Sequence, residues 1–234
     1  MALSINSVDV PLTLVHKFVR QYSHDFRNHL GALDLQAAFL TELVTDPESA
    51  GEVSRLRTMV ADAVAALEVV SCRMSVPCPS FLSLDVKLFV EVLKERILSF
   101  FPEESARLIW SVELAAGVVS VDLEIVFRAF AELIGNALFF QVPAGDLPIR
   151  VTQEAGQLRC EIFEKLLVLP EAPDHWGVVP FESTRRGAYG LGLFHARQSL
   201  DLHGGAVSFV CDPGQSQLIT VINLPIGSGT HNGS

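Results

Sequence analysis

The stretch Val19-Arg20-Gln21-Tyr22-Ser23-His24-Asp25-Phe26-Arg27-Asn28-His29-Leu30-Gly31-Ala32-Leu33 carries the most information in this chain. Its apolar residues keep a heptad rhythm. Val19, Phe26 and Leu33 lead on to Leu40, while Leu30, Ala37 and Val44 run beside them after Val15 and Tyr22. At about 3.6 residues per turn, this spacing lays an apolar stripe along a helix from about Val10 to Val44. Asp46-Pro47-Glu48-Ser49 interrupts it, because proline disfavours helix in the residue before it. A second stripe follows at Val53, Val60, Leu67 and Met74, flanked by Leu56, Ala63 and Val70. Two striped helices joined by a short turn predict a helical hairpin. A lone hairpin leaves half of its apolar surface in water, so two copies are expected to pair as a four-helix bundle, a homodimer. Packing of the hairpin on the second half of the same chain is the alternative.

Each helical residue turns about 100°. His24 stands two positions from Tyr22 and two from Phe26, so it points away from the stripe, into solvent. Lys17, Arg20, Gln21, Arg27 and Asn28 share that side, and Gly31 lies two turns on, where a missing side chain lets a partner approach. An exposed imidazole is a competent phosphoryl acceptor, because one ring nitrogen attacks while the other is held by a hydrogen bond. Asp25 is placed to orient or deprotonate the ring. Arg27 and the neighbouring cations are placed to offset phosphoryl charge. A solvated surface histidine without a role is the plain alternative.

Bulk composition narrows the classes. The 234 residues suffice for one large or two small domains. Hydrophobic content of 49% and charged content of 19% describe a folded rather than a disordered chain. The net charge of -10 argues against a nucleic-acid partner, which asks for a basic surface. Cys72, Cys78, Cys160 and Cys211 match no zinc spacing and no secreted disulfide framework, so reduced, mostly buried thiols are expected. No apolar run is long enough to span a membrane, and Met1-Ala2-Leu3-Ser4 lacks a basic n-region. A cytoplasmic protein is the expectation.

Met74 to Ser80 holds Pro77 and Pro79 and reads as a linker, which divides the chain into residues 1–78, 79–227 and a flexible tail, 228–234. Beyond it the grammar changes. Strands are expected at Phe81–Leu84, Leu108–Leu114, Ile149–Gln153, Leu158–Phe163, Ala206–Cys211 and Leu218–Leu224, with a hairpin turn at Ala155-Gly156. Helices are expected at Val86–Phe100, from an Asp122 N-cap to Phe140, and at Leu191–Leu202. This order of helices and mostly antiparallel strands predicts an α+β sandwich.

Two motifs lie in this half. Glu132-Leu133-Ile134-Gly135-Asn136-Ala137 places Glu132 and Asn136 four apart, on one helix face. Gly187-Ala188-Tyr189-Gly190-Leu191-Gly192-Leu193 opens a helix with glycines, whose bare N–H groups can receive phosphate. With these in view, the chain from about Val15 to Pro225 resembles the bacterial sensor histidine kinases and their relatives. Ser23 to Asn28 looks like the H-box, which makes His24 the phospho-acceptor. Glu132 to Ala137 looks like the N-box, in which Asn136 would bind the Mg²⁺ of ATP. Gly190-Leu191-Gly192-Leu193 looks like the second glycine box, and Pro180-Phe181 like the aromatic element of the ATP lid. The resemblance implies a dimerising hairpin followed by a Bergerat-type ATPase (HATPase-like) sandwich. It also implies response-regulator receiver domains as partners.

Where the family carries an Asp-x-Gly-x-Gly box, this chain has Glu164-Lys165-Leu166-Leu167-Val168. The adenine-reading aspartate becomes Glu164, and the two glycines become Leu166 and Val168, which are expected to crowd the adenine end. Val168 would also resist any φ > 0 conformation. The basic residue usual after the N-box is Phe139. These departures are similar to the sporulation-type and cell-cycle-type phosphotransferases, cytosolic dimers whose ATPase domain is vestigial. The expected function is a dimeric histidine phosphotransferase that moves a phosphoryl group between receiver aspartates through His24 without a cofactor of its own. In that reading His24, Asp25 and Asn28 form the reacting site, and Lys17, Arg20, Gln21, Arg27 and Gly31 dock the receiver, which brings its own Mg²⁺. The first alternative is a soluble histidine kinase that binds ATP and Mg²⁺ through Glu132, Asn136, Glu164, Gly190 and Gly192. The second is a non-catalytic adaptor that holds a receiver. Positions similar to Asn28 orient a water for dephosphorylation in bifunctional kinases.

Overall fold

The computed structural model describes residues 11–73, 79–142, 145–170, 175–181 and 190–227, with the side chains of residues 12, 13, 16 and 69–73 excepted. The chain divides into two compact units, Met1–Pro77 and Cys78–Ser234. The expectations for Met74, Cys78, the Gly187–Tyr189 segment and the tail lie outside the described residues, as do those for the side chains of Val70 and Cys72.

The first unit is a hairpin of α1 (Leu12–Leu43) and α2 (Pro47–Arg73). Pro47 does not interrupt the second helix but starts it. The first turn leaves its N–H groups without helical partners, so a missing one costs nothing there. Asp46 closes the turn, accepting from Glu48 N–H at 3.0 Å and Ser49 N–H at 3.1 Å. Ser23, Leu30 and Ala37 of α1, seven apart, are buried, as is Val60 of α2. Arg57 Nε donates to Asp34 Oδ1 across the hairpin at 3.1 Å. The larger apolar residues of α1 are left out of this seam. Phe26, Leu33 and Leu40 are exposed, together with Phe18, Tyr22 and Leu43. Phe18, Tyr22 and Phe26 stack in sequence, with ring centroids 6.1 and 5.9 Å apart.

The second unit runs β1 (Leu82–Asp85), α3 (Val86–Phe100), β2 (Leu108–Glu113), β3 (Val118–Val121), α4 (Leu123–Phe140), β4 (Leu147–Glu154), β5 (Gln157–Lys165), α5 (Gly192–Leu202), β6 (Ala206–Asp212) and β7 (Gln217–Gly227). The sheet order is β1-β3-β7-β5-β4-β2, with β6 also beside β7. Every pairing is antiparallel except β2 with β4, which is parallel. Alternate strand residues face one side of a sheet. In β5 that side carries Leu158, Cys160, Ile162 and Glu164, all buried. The first three join Phe89 and Ile97 of α3, Phe130 and Ile134 of α4, and Leu200 of α5 in the apolar core, and Glu164 is a buried polar group on the same face of the strand. The result is a two-layer α/β sandwich. Cys160 sits inside it, where burial pushes its thiol far up, while Cys211 is half-buried. No helix among the described residues is long and apolar enough to cross a membrane.

Asp122 caps α4 as expected, and does more. Its Oδ1 accepts from Glu124 and Ile125 N–H, each at 3.0 Å, and its Oδ2 from Ser80 N–H at 2.7 Å. Its own N–H donates to His203 Nε2 at 3.0 Å, and His203 Nδ1 lies 2.6 Å from Ser199 O. A carbonyl only accepts and an amide only donates, so the ring is neutral with its proton on Nδ1. The Ser80 N–H first, then those of Ile125 and Glu124, hold the Asp122 carboxyl below its usual range. Asp122→Ala is expected to destabilise this unit by about 1–2 kcal/mol at pH 7, the worth of a good N-cap. A carboxyl held low stabilises above its unfolded pKa and loses that as pH falls through its folded one. Urea unfolding should therefore show the gap between wild type and variant closing below about pH 4.

Candidate functional site

His24 stands on the outer side of α1 with its side chain 66% exposed. Its Nδ1 lies 3.2 Å from Asp25 Oδ1. A carboxylate only accepts, so Nδ1 carries a proton, and in the neutral ring Nε2 keeps its lone pair. Nε2 has no protein partner among the described residues. Gln21 Nε2 donates to both Asp25 oxygens, at 3.0 and 3.2 Å. The hydrogen bond from His24 and then that from Gln21 hold the Asp25 carboxyl below the usual carboxylate range. Asp25 is therefore a weak base and an orienting anion. Asn28 Nδ2 is 3.5 Å from the same Nδ1, the outer limit of a hydrogen bond. Two donors cannot bond each other, so Asn28 engages the ring only with its amide oxygen turned inward.

The residues expected at the docking face lie together on α1. Lys17, Arg20, Gln21 and Gly31 are exposed, and Arg27 is half-buried. A Cβ at Gly31 would meet nothing within 4 Å, so the packing of the hairpin does not demand glycine there. Gly31 and Arg27 line an open groove of about 590 Å³ between α1 and α2. The buried Arg27 Nε has no hydrogen-bond partner among the described residues. The far wall, Ser54, Arg57, Thr58 and Ala61 of α2, was not foreseen from the sequence. The opposite charges of Asp34 and Arg57 were the available signal, but only the hairpin register joins residues 23 apart in the chain.

In the second unit, Glu132 and Asn136 lie on α4, both half-buried. The end of α4 meets the end of β5 through Val142 N–H to Lys165 O at 2.9 Å, and α4 packs along α5. Asn136 makes no hydrogen bond among the described residues, which leaves its amide oxygen open to a cation. Gly190 has φ +65°, a left-handed conformation that glycine adopts freely, and its carbonyl accepts from Phe181 N–H at 2.9 Å. Gly192 is the first residue of α5. Glu164 is 5% exposed and has no hydrogen bond or ion pair among the described residues. Burial alone pushes its carboxyl up to about 8. At pH 7 it is therefore mostly a neutral acid, not an anion for an adenine amino group. Leu166 packs against the core, but Leu167 and Val168 are 86% and 82% exposed. Of the two residues expected to crowd the adenine end, Leu166 packs inward and Val168 points to solvent. Phe139 is exposed, an apolar side chain where the resemblance implies a basic one. Asn136 and the two glycines suit a nucleotide's phosphate end. Glu164 and Phe139 do not suit the whole ligand.

The two units define a class. The fold is that of the sensor histidine kinases, an α+β chain in which a helical hairpin precedes a Bergerat-type sandwich. The solved structure of ShkA in complex with AMPPNP matches 92% of this chain and 46% of its own at a TM-score of 0.66 and 17% identity. A mycobacterial sensor histidine kinase, MprB, matches 64% of this chain and all of its own, with a TM-score of 0.54 and 22% identity. The catalytic domain of histidine kinase ThkA matches 62% and 95%, with a TM-score of 0.53 and 18% identity. In sequence the chain is 27% identical over 222 residues to the sensory histidine kinase/phosphatase NtrB of Escherichia coli O157:H7, and equally to that of Shigella flexneri. The match takes in 89% of this chain and 61% of the length of those relatives. No family model matches.

Proposed function

We propose that this chain is a dimeric histidine phosphotransferase, with residues 1–78 as the dimerisation and phosphotransfer domain and residues 79–227 as a degenerate ATPase-like domain. The observation that carries the proposal is the His24 arrangement: one ring nitrogen is fixed by Asp25 at 3.2 Å and the other is open to solvent. In the transfer, His24 Nε2 attacks the phosphorus of an aspartyl phosphate on a receiver domain. The N–P bond forms, the P–O bond to the aspartate breaks, and that aspartate leaves as a carboxylate. The ring, substituted on both nitrogens, is then cationic, and Asp25 offsets its charge. The reverse step delivers the group to a second receiver. Arg27, Lys17 and Arg20 supply positive charge along the approach. Asn28 completes the site on the next turn.

The dimer is supported by the open aromatic and leucine face of α1, which an isolated hairpin leaves wet. Phe26→Asp combined with Leu33→Asp is expected to convert a dimer to a monomer in sedimentation velocity, because two buried charges per chain cost several kcal/mol at an apolar seam. An unchanged sedimentation coefficient would refute this face as the interface.

The alternative, a soluble histidine kinase using ATP and Mg²⁺, is favoured by the open Asn136 amide, by Gly190 and Gly192, and by the AMPPNP complex of ShkA. Against it stand the neutral, buried Glu164 and the apolar Phe139. Calorimetry with ATP and Mg²⁺, followed by incubation with γ-labelled ATP, separates the two. No heat and no label is the expected result. Saturable binding with self-labelling at His24 would replace the phosphotransferase with the kinase.

A further inference from the structure

We propose that Gln21 is a positioning residue for His24, its side-chain amide holding the Asp25 carboxylate against the Nδ1 edge of the ring. The inference rests on His24 as the phospho-acceptor. Adjacent residues of a helix do not face each other, so contact between His24 and Asp25 is not a default of the fold. On the helix Gln21 lies about 60° from His24 and about 40° from Asp25, on the arc between them and one turn earlier. Its Nε2 reaches both carboxylate oxygens, at 3.0 and 3.2 Å, and draws the carboxylate around the helix towards the histidine. Asp25 Oδ1 then accepts from Gln21 on one side and from Nδ1, at 3.2 Å, on the other. The order of donor, acceptor and donor is satisfied throughout. Asp25 is 56% exposed, and apart from His24 itself, Gln21 makes the only hydrogen bonds to its carboxylate among the described residues. Gln21 thereby fixes the tautomer that leaves the Nε2 lone pair outward, and it keeps the carboxylate where the cationic phosphohistidine needs it.

The test uses the full chain and phosphoramidate, a donor that needs neither a receiver nor nucleotide. Nε2 attacks the phosphorus, the P–N bond of the donor breaks, and ammonia leaves. Two variants are compared with wild type: Gln21→Ala, which removes the amide, and Gln21→Glu, which keeps the shape but loses the donor. Both are expected to label about three- to tenfold more slowly, the net worth of one solvent-exposed hydrogen bond. ¹⁵N spectra of the His24 ring should shift in both variants from the Nδ1–H form towards the Nε2–H form. Wild-type tautomer and labelling rate in both variants would overturn the proposal. Loss of transfer from a phosphorylated receiver with an unchanged tautomer would also overturn it and make Gln21 a docking residue. If the wild type takes no label, the phospho-acceptor reading fails, while the ring spectra still decide whether Gln21 sets the tautomer.

Discussion

His24→Ala is expected to lose phosphoryl transfer altogether. Acid-labile label taken from a phosphorylated receiver should fall by about a thousandfold or more, to background, because no other group at the site can form the phosphoramidate bond. The fold should survive the change. The side chain is 66% exposed, and its close polar contacts among the described residues are with Asp25 and Asn28, both on the surface. Circular dichroism and sedimentation should match wild type, which separates a chemical loss from a structural one. Six further histidines provide an internal control. His29, on the same helix and exposed, is the nearest rival along the chain. Label retained in His24→Ala and lost in His29→Ala would move the acceptor by five residues and sink the assignment. Asp25→Ala should keep transfer but slow it, since the carboxylate orients the ring and does not bond to phosphorus.

The second large effect concerns Glu164 and stability. In the folded protein its carboxyl holds a proton up to about pH 8, whereas the unfolded chain releases it near the ordinary value of 4.5. Between those limits the folded state binds the extra proton, so this group's contribution to stability falls as pH rises and levels off above about 8. At 1.36 kcal/mol per pH unit the loss comes to about 2–4 kcal/mol, once relaxation around a buried acid is allowed for. Glu164→Gln keeps the shape and polarity and cannot ionise. Urea unfolding of wild type and variant between pH 5 and 8.5 should show the difference growing in favour of glutamine by that amount. A constant difference would mean that Glu164 is ionised in the folded state and holds a partner. In that event the carboxylate is again competent to read an amino group, and the kinase alternative gains. The stability profile and the nucleotide titration therefore address the same residue independently.

Much of this was legible in the chain. Period-seven spacing around His24 and a proline break at Pro47 were enough for the hairpin, since helix periodicity is a local property. Asp122, Pro47 and the Ala155-Gly156 turn marked element ends through chemistry that acts within a few residues. β3 was missed because four residues, Val118–Val121, are too few to show alternation. It exists as a strand because β1 and the end of β7 lie on either side of it. The parallel pairing of β2 with β4 likewise depends on a crossover that no local signal specifies.

For the site, the sequence alone determined which residues could react: an imidazole beside a carboxylate, turned off the apolar stripe by the arithmetic of the helix. It also put Glu164 where the resemblance implies an adenine-reading aspartate. The tertiary structure decided what those groups can do. Neighbours in sequence on a helix do not face each other, so only the folded structure could show Asp25 Oδ1 within 3.2 Å of His24 Nδ1 and Gln21 donating to both carboxylate oxygens. Burial is a property of packing, so only the assembled sheet could show Glu164 without a partner among the described residues and mostly neutral at pH 7, and Val168 in solvent.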